Sequence, residues 1–181
     1  MKNSKLFENI YISNFEKLKR FAFHYLQNEE DAENIVQDVF EIIWKKREEL
    51  QEDEDYLCYL LQLVKNKCID FFRKKTMVLA AHNKLYNLHI HEKAALYSLE
   101  QFNPEFSSEK DLMSTINKAI KQLPPQCKEV FYKSKIQGKK QQEIAKEMHI
   151  TINTVESQMG IAYKKLRILL KDLYPVIFLF F

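Results

Sequence analysis

Scarcity of glycine is the feature that most limits what this chain can form: only Gly138 and Gly160 occur among 181 residues. A glycine-rich phosphate loop and the GxGxxG dinucleotide fingerprint both need several closely spaced glycines, so the sequence contains neither. Hairpin-rich β folds, which use glycine or Asn-Gly turns between strands, are equally disfavoured. Because 46% of the residues are hydrophobic, which is enough for packed cores, the sequence predicts an all-α protein.

Charge is unevenly distributed along the chain, although the net charge is only +3. Residues 111–181 contain 12 lysine and arginine residues against 6 acidic ones, whereas residues 29–55 contain 12 acidic residues against 3 basic ones. A basic C-terminal third favours contact with a polyanion such as nucleic acid, although a solvated lysine face is the commoner cause of such a bias. The acidic stretch should avoid phosphates and attract a basic protein partner.

The spacing of cysteine and histidine gives no sign of a metal site or a disulfide. The three cysteines are Cys58, Cys68 and Cys127. They are odd in number and form no CxxC pair, which is typical of buried small residues in a reducing compartment. His89 and His91, beside His82, have no carboxylate or cysteine at ligand spacing, so we expect no metal. No apolar run approaches the ~20 residues of a membrane span, and no signal peptide is visible, which predicts a cytoplasmic protein.

Apolar spacing predicts several helices in the first half of the chain. Apolar residues recur at steps of three and four from Phe7 to Leu26, as one helix or as two with a break near Ser13-Asn14. Asn28 is a predicted N-cap for a second helix that ends near Leu50, because acidic residues follow it in the first turn. A third helix is predicted from about Tyr56 to Lys75.

The same pattern of apolar spacing predicts two domains and a linker. The stretch Asn103–Ser108 breaks the helical pattern. We therefore predict a first domain over residues 1–76, a flexible linker over 77–110, a second domain over 111–173 and an apolar tail over 174–181. The tail is too short to span a bilayer, and packing against its own domain or a partner, or disorder, is favoured over membrane anchoring.

Residues 141–173 have the pattern of a helix-turn-helix, the strongest local signal in the sequence. Ala145 is the small residue that lets the second helix approach the first, and Val155 packs back on it. The residues expected to face DNA bases from the second helix are Asn153, Thr154, Glu156, Ser157, Gln158, Gly160 and Ile161. Amide, carboxylate and hydroxyl groups of these types can bind base edges. Cations expected to bind phosphates beside them are Lys139, Lys140, Lys164, Lys165 and Arg167.

The predicted helix 56–75 interleaves aromatic rings with cations and amides. This composition favours binding of a single nucleic-acid strand, because bases stack on rings while phosphates pass cations. The residues concerned are Tyr56, Tyr59, Lys65, Asn66, Lys67 and Arg73. Aromatic residues at helical spacing more often face a core, and composition alone leaves both interpretations open.

Two motif runs resemble a known family. Residues 31–40 (DAENIVQDVF) through Trp44, followed by 64–74 (VKNKCIDFFRK), resemble the first conserved domain of the extracytoplasmic-function sigma factors of bacterial RNA polymerase. Residues 123–131 (LPPQCKEVF), then 142–145 (QEIA) and 154–157 (TVES), are similar to their second domain. The resemblance extends over residues 5–75 and 111–172, in the same order and with a variable linker between.

The resemblance implies a transcription initiation factor that binds core RNA polymerase, opens the promoter −10 element and reads the −35 element. It implies that Asn34, Gln37, Asp38 and Glu41 face the polymerase, in agreement with the acidic stretch. It also implies that the loop 48–55 receives a flipped −10 base, with Tyr59 and Asn66 along the separated strand. Expected partners are core polymerase, promoter DNA and an anti-sigma factor, with no cofactor, no small-molecule substrate and no enzymatic activity of its own.

Two other functions remain open at the level of sequence. One is a helix-turn-helix regulator that binds duplex DNA without polymerase, which the absence of a phosphoacceptor α/β pattern in residues 1–110 disfavours. The other is a helical adaptor that binds only proteins, for which the basic C-terminal third would be accidental.

Overall fold

The computed structural model describes residues 2–52, 54–81, 86–102 and 108–180. These residues are almost entirely helical, and no strand occurs among them, so the predicted all-α class is confirmed. The chain divides into two compact units, residues 1–109 with 178–180 and residues 110–177.

Four α-helices form the first unit. They are α1 (Lys2–Leu26), α2 (Glu29–Lys45), α3 (Leu57–Ala81) and α4 (Tyr86–Gln101), with a single 3-10 turn at Arg47–Glu49. Helix α1 packs against α2 and α3, and α3 packs against α4. Fully buried side chains from all four helices make one core: Leu18, Phe21, Val36, Val39, Leu60, Leu61, Val64 and Leu99. Burial of these apolar groups is the main force that holds the unit together.

Helix α1 runs without a break through Ser13-Asn14. Asn14 is buried, and its side-chain amide donates to the backbone oxygen of Ile10 at 2.8 Å, so this polar residue is satisfied within the helix. The helix ends where Gln27 takes a left-handed φ of 53°. The alternative of a single helix is therefore the correct one.

Helix α2 begins as the sequence predicts and ends earlier. The side chain of Asn28 accepts a hydrogen bond from the backbone N–H of Asp31 at 3.0 Å, which confirms the predicted N-cap. The helix ends at Lys45 rather than near Leu50. Arg47 turns back there and donates to the backbone oxygen of Trp44 at 3.0 Å, which satisfies a carbonyl that the ended helix leaves free.

Much of the range predicted as a linker is helical. Helix α3 continues to Ala81, and α4 occupies Tyr86–Gln101 and belongs to the first unit. Ala95 and Leu99 of α4 are buried, and the buried carboxylate of Glu92 pairs with Lys75 of α3 at 2.9 Å. The structure therefore differs from the predicted flexible linker over the described part of 77–110. The predicted break at residues 103–107 lies outside the described residues.

The second unit contains four α-helices in its described residues. They are α5 (Glu109–Lys121), α6 (Pro125–Phe131), α7 (Gln141–Glu147) and α8 (Ile152–Leu170). A short helix, α9 (Ile177–Phe180), follows them, and its residues 178–180 are grouped with the first unit. A π-helical turn (Tyr132–Ile136) extends α6, and a 3-10 segment (Lys171–Val176) follows α8. Helix α8 packs against both α6 and α7.

Two residues with positive φ set where helices of this unit end. Gly138, with φ of 67°, follows the π-helical turn in the left-handed conformation that commonly ends helices. Lys171, with φ of 44°, ends α8 at Leu170. Val176, Ile177 and Leu179 of the apolar tail are buried, and its last described residues form α9.

Candidate nucleic-acid interface

A helix-turn-helix forms from α7 and α8, as the sequence predicts. Ile144, Ala145 and Val155 are buried together with Val130 of α6, and Ile150 in the turn packs against this cluster. The turn is held by a hydrogen bond from the Ile150 N–H to the Ala145 oxygen at 3.0 Å. Because Ala145 has only a methyl group, α8 can cross α7 closely.

Thr151 starts α8 as an N-cap. Its hydroxyl oxygen accepts from the backbone N–H of Thr154 at 3.1 Å, and the hydroxyl groups of both threonines lie 2.8 Å apart. His149 in the preceding turn adopts a left-handed φ of 53°. These local bonds fix the direction in which the first turns of α8 present their side chains.

Most of the residues predicted to face DNA from α8 are exposed. The exposed ones are Asn153, Glu156, Ser157, Gly160, Ile161, Lys164 and Lys165, whereas Thr154 and Gln158 are half-buried. Neither Lys164 nor Lys165 has an acidic partner among the described residues. The structure therefore brings polar groups and two unpaired cations to the surface of one helix.

A contact that the sequence does not indicate lies on the inner side of α8. The thiol of Cys127 in α6, only 2% exposed, donates to the side-chain oxygen of Gln158 at 2.7 Å. The expected burial of Cys127 is confirmed, but its polar role was missed. The two residues are 31 positions apart, and only the packing of α6 on α8 brings them together.

Three charged side chains form a network beside the helix-turn-helix. The carboxylate of Glu147 binds the ammonium of Lys133 at 2.9 Å and that of Lys139 at 2.5 Å. Hydrogen bonds from Lys139 and Lys133 lower the pKa of Glu147 to about 2, and the bond to Glu147 raises the pKa of Lys133. Lys139, which the sequence predicts to bind phosphate, is thus already paired within the protein.

A recess of about 540 Å³ opens in the first unit between the end of α2 and the start of α3. It is lined by Ile43, Lys46, Glu49, Leu50, Glu54, Asp55, Tyr56 and Tyr59. The hydroxyl of Tyr56 accepts from the Gln51 N–H at 2.7 Å and donates to the Gln51 oxygen at 3.3 Å, so this ring is tied to the loop. Tyr59 is 43% exposed at the rim.

Three other residues of α3 make contacts that limit what they can bind. The ammonium of Lys65 donates to the backbone oxygen of Phe102. Lys67 pairs with Asp38 of α2 at 3.1 Å, and Arg73 pairs with Glu100 of α4 at 3.0 Å. Of these, Arg73 is the most exposed side chain, at 59%.

Tyr59, Asn66 and Arg73 share one face of α3. They are spaced seven residues apart, which is close to two helical turns, and all three are exposed. The Asn66 side-chain oxygen accepts from Gln62 at 3.1 Å. Tyr59, which the sequence predicts to face either the core or a nucleic-acid strand, therefore lies at the surface.

The polar face predicted on α2 is exposed in full. Its members are Asn34, Gln37, Asp38 and Glu41. Gln37 donates to Glu33 at 3.3 Å, and Glu41 pairs with Lys45 at 2.6 Å. Through the Asp38–Lys67 ion pair, this face is joined to α3.

The described residues contain no group of three or more histidine, cysteine, aspartate or glutamate side chains arranged to hold a metal ion. His82 lies outside the described residues, as do the side chains of His89 and His91. Within the described ranges, no helix has both the length and the apolar character needed to cross a membrane.

Two family models match the chain, and they match it in order. Residues 10–77 match sigma-70 region 2, and residues 114–166 match sigma-70 region 4. A search of curated proteins finds no match. Among solved structures, the sigma factor RpoE in complex with the anti-sigma factor NepR, from Bartonella quintana, is 19% identical, with a TM-score of 0.42, over 92% of this chain and 98% of that one.

The two matched regions coincide with the two stretches that carry the motif resemblance. The region 2 match contains α2 and the exposed face of α3, and the region 4 match contains the helix-turn-helix. A regulator that acts without polymerase, or an adaptor that binds only proteins, has no need of region 2, so neither alternative describes this chain. The chain therefore belongs to the sigma-70 family, and it is a sigma factor that directs RNA polymerase to promoters.

Proposed function

We propose that α3 of the first unit captures the separated strand of a −10 element while α8 of the second unit reads a −35 element. The observation that carries this assignment is the recess at the start of α3 with the exposed ring of Tyr59 at its rim. A sigma factor must hold a base that has left the duplex, and a recess beside an aromatic ring can do so.

The energetics of base capture favour this position. Flipping a base out of the duplex costs about a few kcal/mol, and stacking on an aromatic side chain returns about 1–3 kcal/mol per base. Tyr59 offers such a ring, whereas Tyr56 is tied to Gln51 and serves as a fixed wall of the recess. The flipped base would enter the recess, and the next bases would pass Tyr59.

Beyond the recess, the strand would follow the exposed face of α3. Asn66 offers an amide to a base edge, and Arg73 lies two turns further on, where it can exchange Glu100 for a phosphate. Lys67 can act in the same way by leaving Asp38. Lys65 is engaged with the Phe102 carbonyl, and we assign it to holding α3 near the end of α4 rather than to the strand.

The second unit would bind duplex DNA through α8. Asn153, Glu156, Ser157 and Gln158, with Thr154 and Ile161 beside them, are the side chains proposed to meet base edges in the major groove. Lys164 and Lys165 are proposed to bind phosphates, because both are exposed and unpaired among the described residues.

The exposed polar face of α2 is the surface proposed to bind core polymerase. It carries Asp38 and Glu41, and it belongs to the most acidic stretch of the sequence. An anti-sigma factor is a further partner that we propose from the family. The protein would act in the cytoplasm with no chemistry of its own, since polymerase supplies the reaction.

The variants Tyr59→Ala and Asn66→Ala test the strand-capture assignment in the reconstituted holoenzyme. Loss of the base stacked on Tyr59, worth about 1–3 kcal/mol, or of the hydrogen bond from Asn66, worth about 1 kcal/mol, should reduce promoter opening by about fivefold or more. Opening is measured by permanganate reactivity of unpaired thymines, and duplex binding is measured in parallel by gel shift. Duplex affinity should stay unchanged, because the target of these side chains exists only once the strands part.

Tyr97→Ala is the matched control for this experiment. Tyr97 is a tyrosine of α4 that is 66% exposed and lies outside the proposed path. It should open promoters as the parent does. If Tyr59→Ala and Asn66→Ala also open promoters at the parent level, the strand does not run along α3.

A further inference from the structure

Gln158 differs from the other candidate base readers of α8 because one of its polar groups is already occupied. Its side-chain oxygen accepts a hydrogen bond from the thiol of Cys127 at 2.7 Å. Asn153, Glu156 and Ser157 are exposed, whereas Gln158 is half-buried. The side chain therefore lies at the border between the protein interior and the surface that would face DNA.

Helical geometry explains this border position. Val155, Ala162 and Leu166 are buried and mark the side of α8 that faces the core of the unit. Gln158 follows Val155 by three residues and precedes Ala162 by four, so it lies beside this buried stripe rather than opposite it. From there its amide can reach inward to α6, where Cys127 is buried, while the rest of the group stays at the surface.

The bond with Cys127 changes what Gln158 can recognise. A free glutamine binds adenine with both groups of its amide, since the oxygen accepts from N6 and the nitrogen donates to N7. Here the bond turns the oxygen towards the buried thiol of Cys127 and away from DNA, and the amide nitrogen has no hydrogen-bond partner among the described residues. Only N–H donors are then available, and these match base acceptors such as O6 and N7 of guanine or O4 of thymine.

We infer that Cys127 is a specificity-determining positioning residue, which binds the Gln158 side-chain oxygen so that Gln158 meets DNA as a hydrogen-bond donor alone. The inference rests on the proposed role of α8 in −35 recognition. Cys127 touches no DNA itself, because it is buried in α6. It affects base recognition by orienting the side-chain amide of Gln158.

The test compares Cys127→Ala with Cys127→Ser in the full-length holoenzyme. The two variants differ in one hydroxyl group, and only serine keeps a donor for the Gln158 oxygen. Transcripts from a promoter library with a randomised −35 element give the base preference at each position. Cys127→Ala should gain adenine at a single position by about two- to tenfold, the worth of one hydrogen bond. Cys127→Ser should keep the parent preference.

Gln158→Ala separates failure of this inference from failure of the proposed −35 role. It should remove the preference at the same position, and adding Cys127→Ala to it should change nothing more. If Gln158→Ala changes the base preference at no position of the −35 element, Gln158 does not read DNA. If Gln158→Ala alters one position but Cys127→Ala leaves every preference as in the parent, Cys127 is only a core residue.

A spectroscopic measurement on the folded parent keeps the test independent of whether the Cys127 variants fold. A thiol that donates a hydrogen bond has a lowered S–H stretching frequency. The Cys127 band, assigned as the band that Cys127→Ser removes or by selective labelling, should rise in frequency in Gln158→Leu. A Cys127 band unchanged by Gln158→Leu would show that the bond does not form and would overturn the inference.

Discussion

Glu147 is a single carboxylate that holds two cations, and its protonation state decides whether it can do so. Its partners Lys133 and Lys139 come from the π-helical turn and from the loop after Gly138, while Glu147 ends α7. The three side chains thus connect the segment that precedes the helix-turn-helix to its first helix. The network is partly exposed, so its effect depends on ionic strength as well as on pH.

The first prediction at this scale concerns the acid stability of Glu147→Gln. The pKa of Glu147 is lowered from 4.5 to about 2 in the folded protein, mainly by hydrogen bonds from the two lysines. Its contribution to stability is therefore present above pH 4.5 and is lost as pH falls from 4.5 towards 2. The parent should melt at a higher temperature than Glu147→Gln at neutral pH, and the gap should close over that range.

Glu156→Gln is the control for the acid-stability measurement. Glu156 is exposed, and no ion pair involves it among the described residues. Its melting temperature, followed by circular dichroism, should track the parent at every pH. A gap between parent and Glu147→Gln that persists unchanged at pH 2 would contradict the assigned role of the network.

Individual residues were predictable from the sequence where the signal is local. Asn28 as an N-cap and Ala145 as the small residue of the helix-turn-helix depend on neighbours a few positions away, and both predictions are confirmed. The Cys127–Gln158 bond and the pairing of Lys139 with Glu147 depend on how helices pack, and no spacing in the sequence reveals them.

At the scale of elements, α2 was predicted well and α4 was not. Helix α2 has an apolar stripe, a cap and an acidic first turn, which all point to the same structure. In α4, Glu92 occupies a buried position on the same side as Ala95 and Leu99. A charged residue at a core position interrupts the apolar pattern, and its partner Lys75 lies on another helix, so the sequence pattern does not show that α4 packs in the first unit.

The prediction at this scale concerns charge on the exposed face of α2. Asp38→Lys and Gln37→Lys should slow assembly with core polymerase by about tenfold or more, because rim charges act mainly through association rates. Both residues are exposed, so the fold should stay intact. Gln37→Lys leaves the Asp38–Lys67 pair in place, and a slow rate in both variants therefore excludes loss of that pair as the cause.

Glu8→Lys is the matched control for the charge reversals. Glu8 is an exposed acidic residue of α1 in the same unit, and its reversal changes the net charge by the same amount as Asp38→Lys. Assembly is followed by stopped-flow fluorescence at two salt concentrations. Parent-like rates for Asp38→Lys and Gln37→Lys would mean that polymerase binds another face.

At the scale of the whole molecule, the order of the two domains could be predicted from the sequence. The residue at which one domain ends and the other begins could not. The acidic stretch 29–55 and the basic C-terminal third of the sequence fall in different units. The first unit ends at residue 109 and the second begins at residue 110, whereas the sequence pattern predicts a linker over residues 77–110. Where the apolar spacing of a helix is weak, only its packing shows which domain it belongs to. The sequence pattern does not reveal that packing.

Limited proteolysis tests this division. In the full chain, an unspecific protease should cut first within residues 103–108, since that stretch lacks a helical pattern. A fragment over 111–181 should then remain helical by circular dichroism. A first cut inside 111–173 would place the boundary elsewhere.

The ion pair between Asp38 and Lys67 has a thermodynamic consequence. Each side chain belongs to a different proposed surface, so a ligand that takes up one charge leaves the other without its partner. The first ligand to bind breaks the ion pair, so the second ligand binds without having to break it. Each ligand therefore raises the affinity of the other, and by the same factor. An exposed pair of this kind is worth at most about 1 kcal/mol, so polymerase bound at Asp38 would tighten phosphate binding at Lys67 by no more than about fivefold.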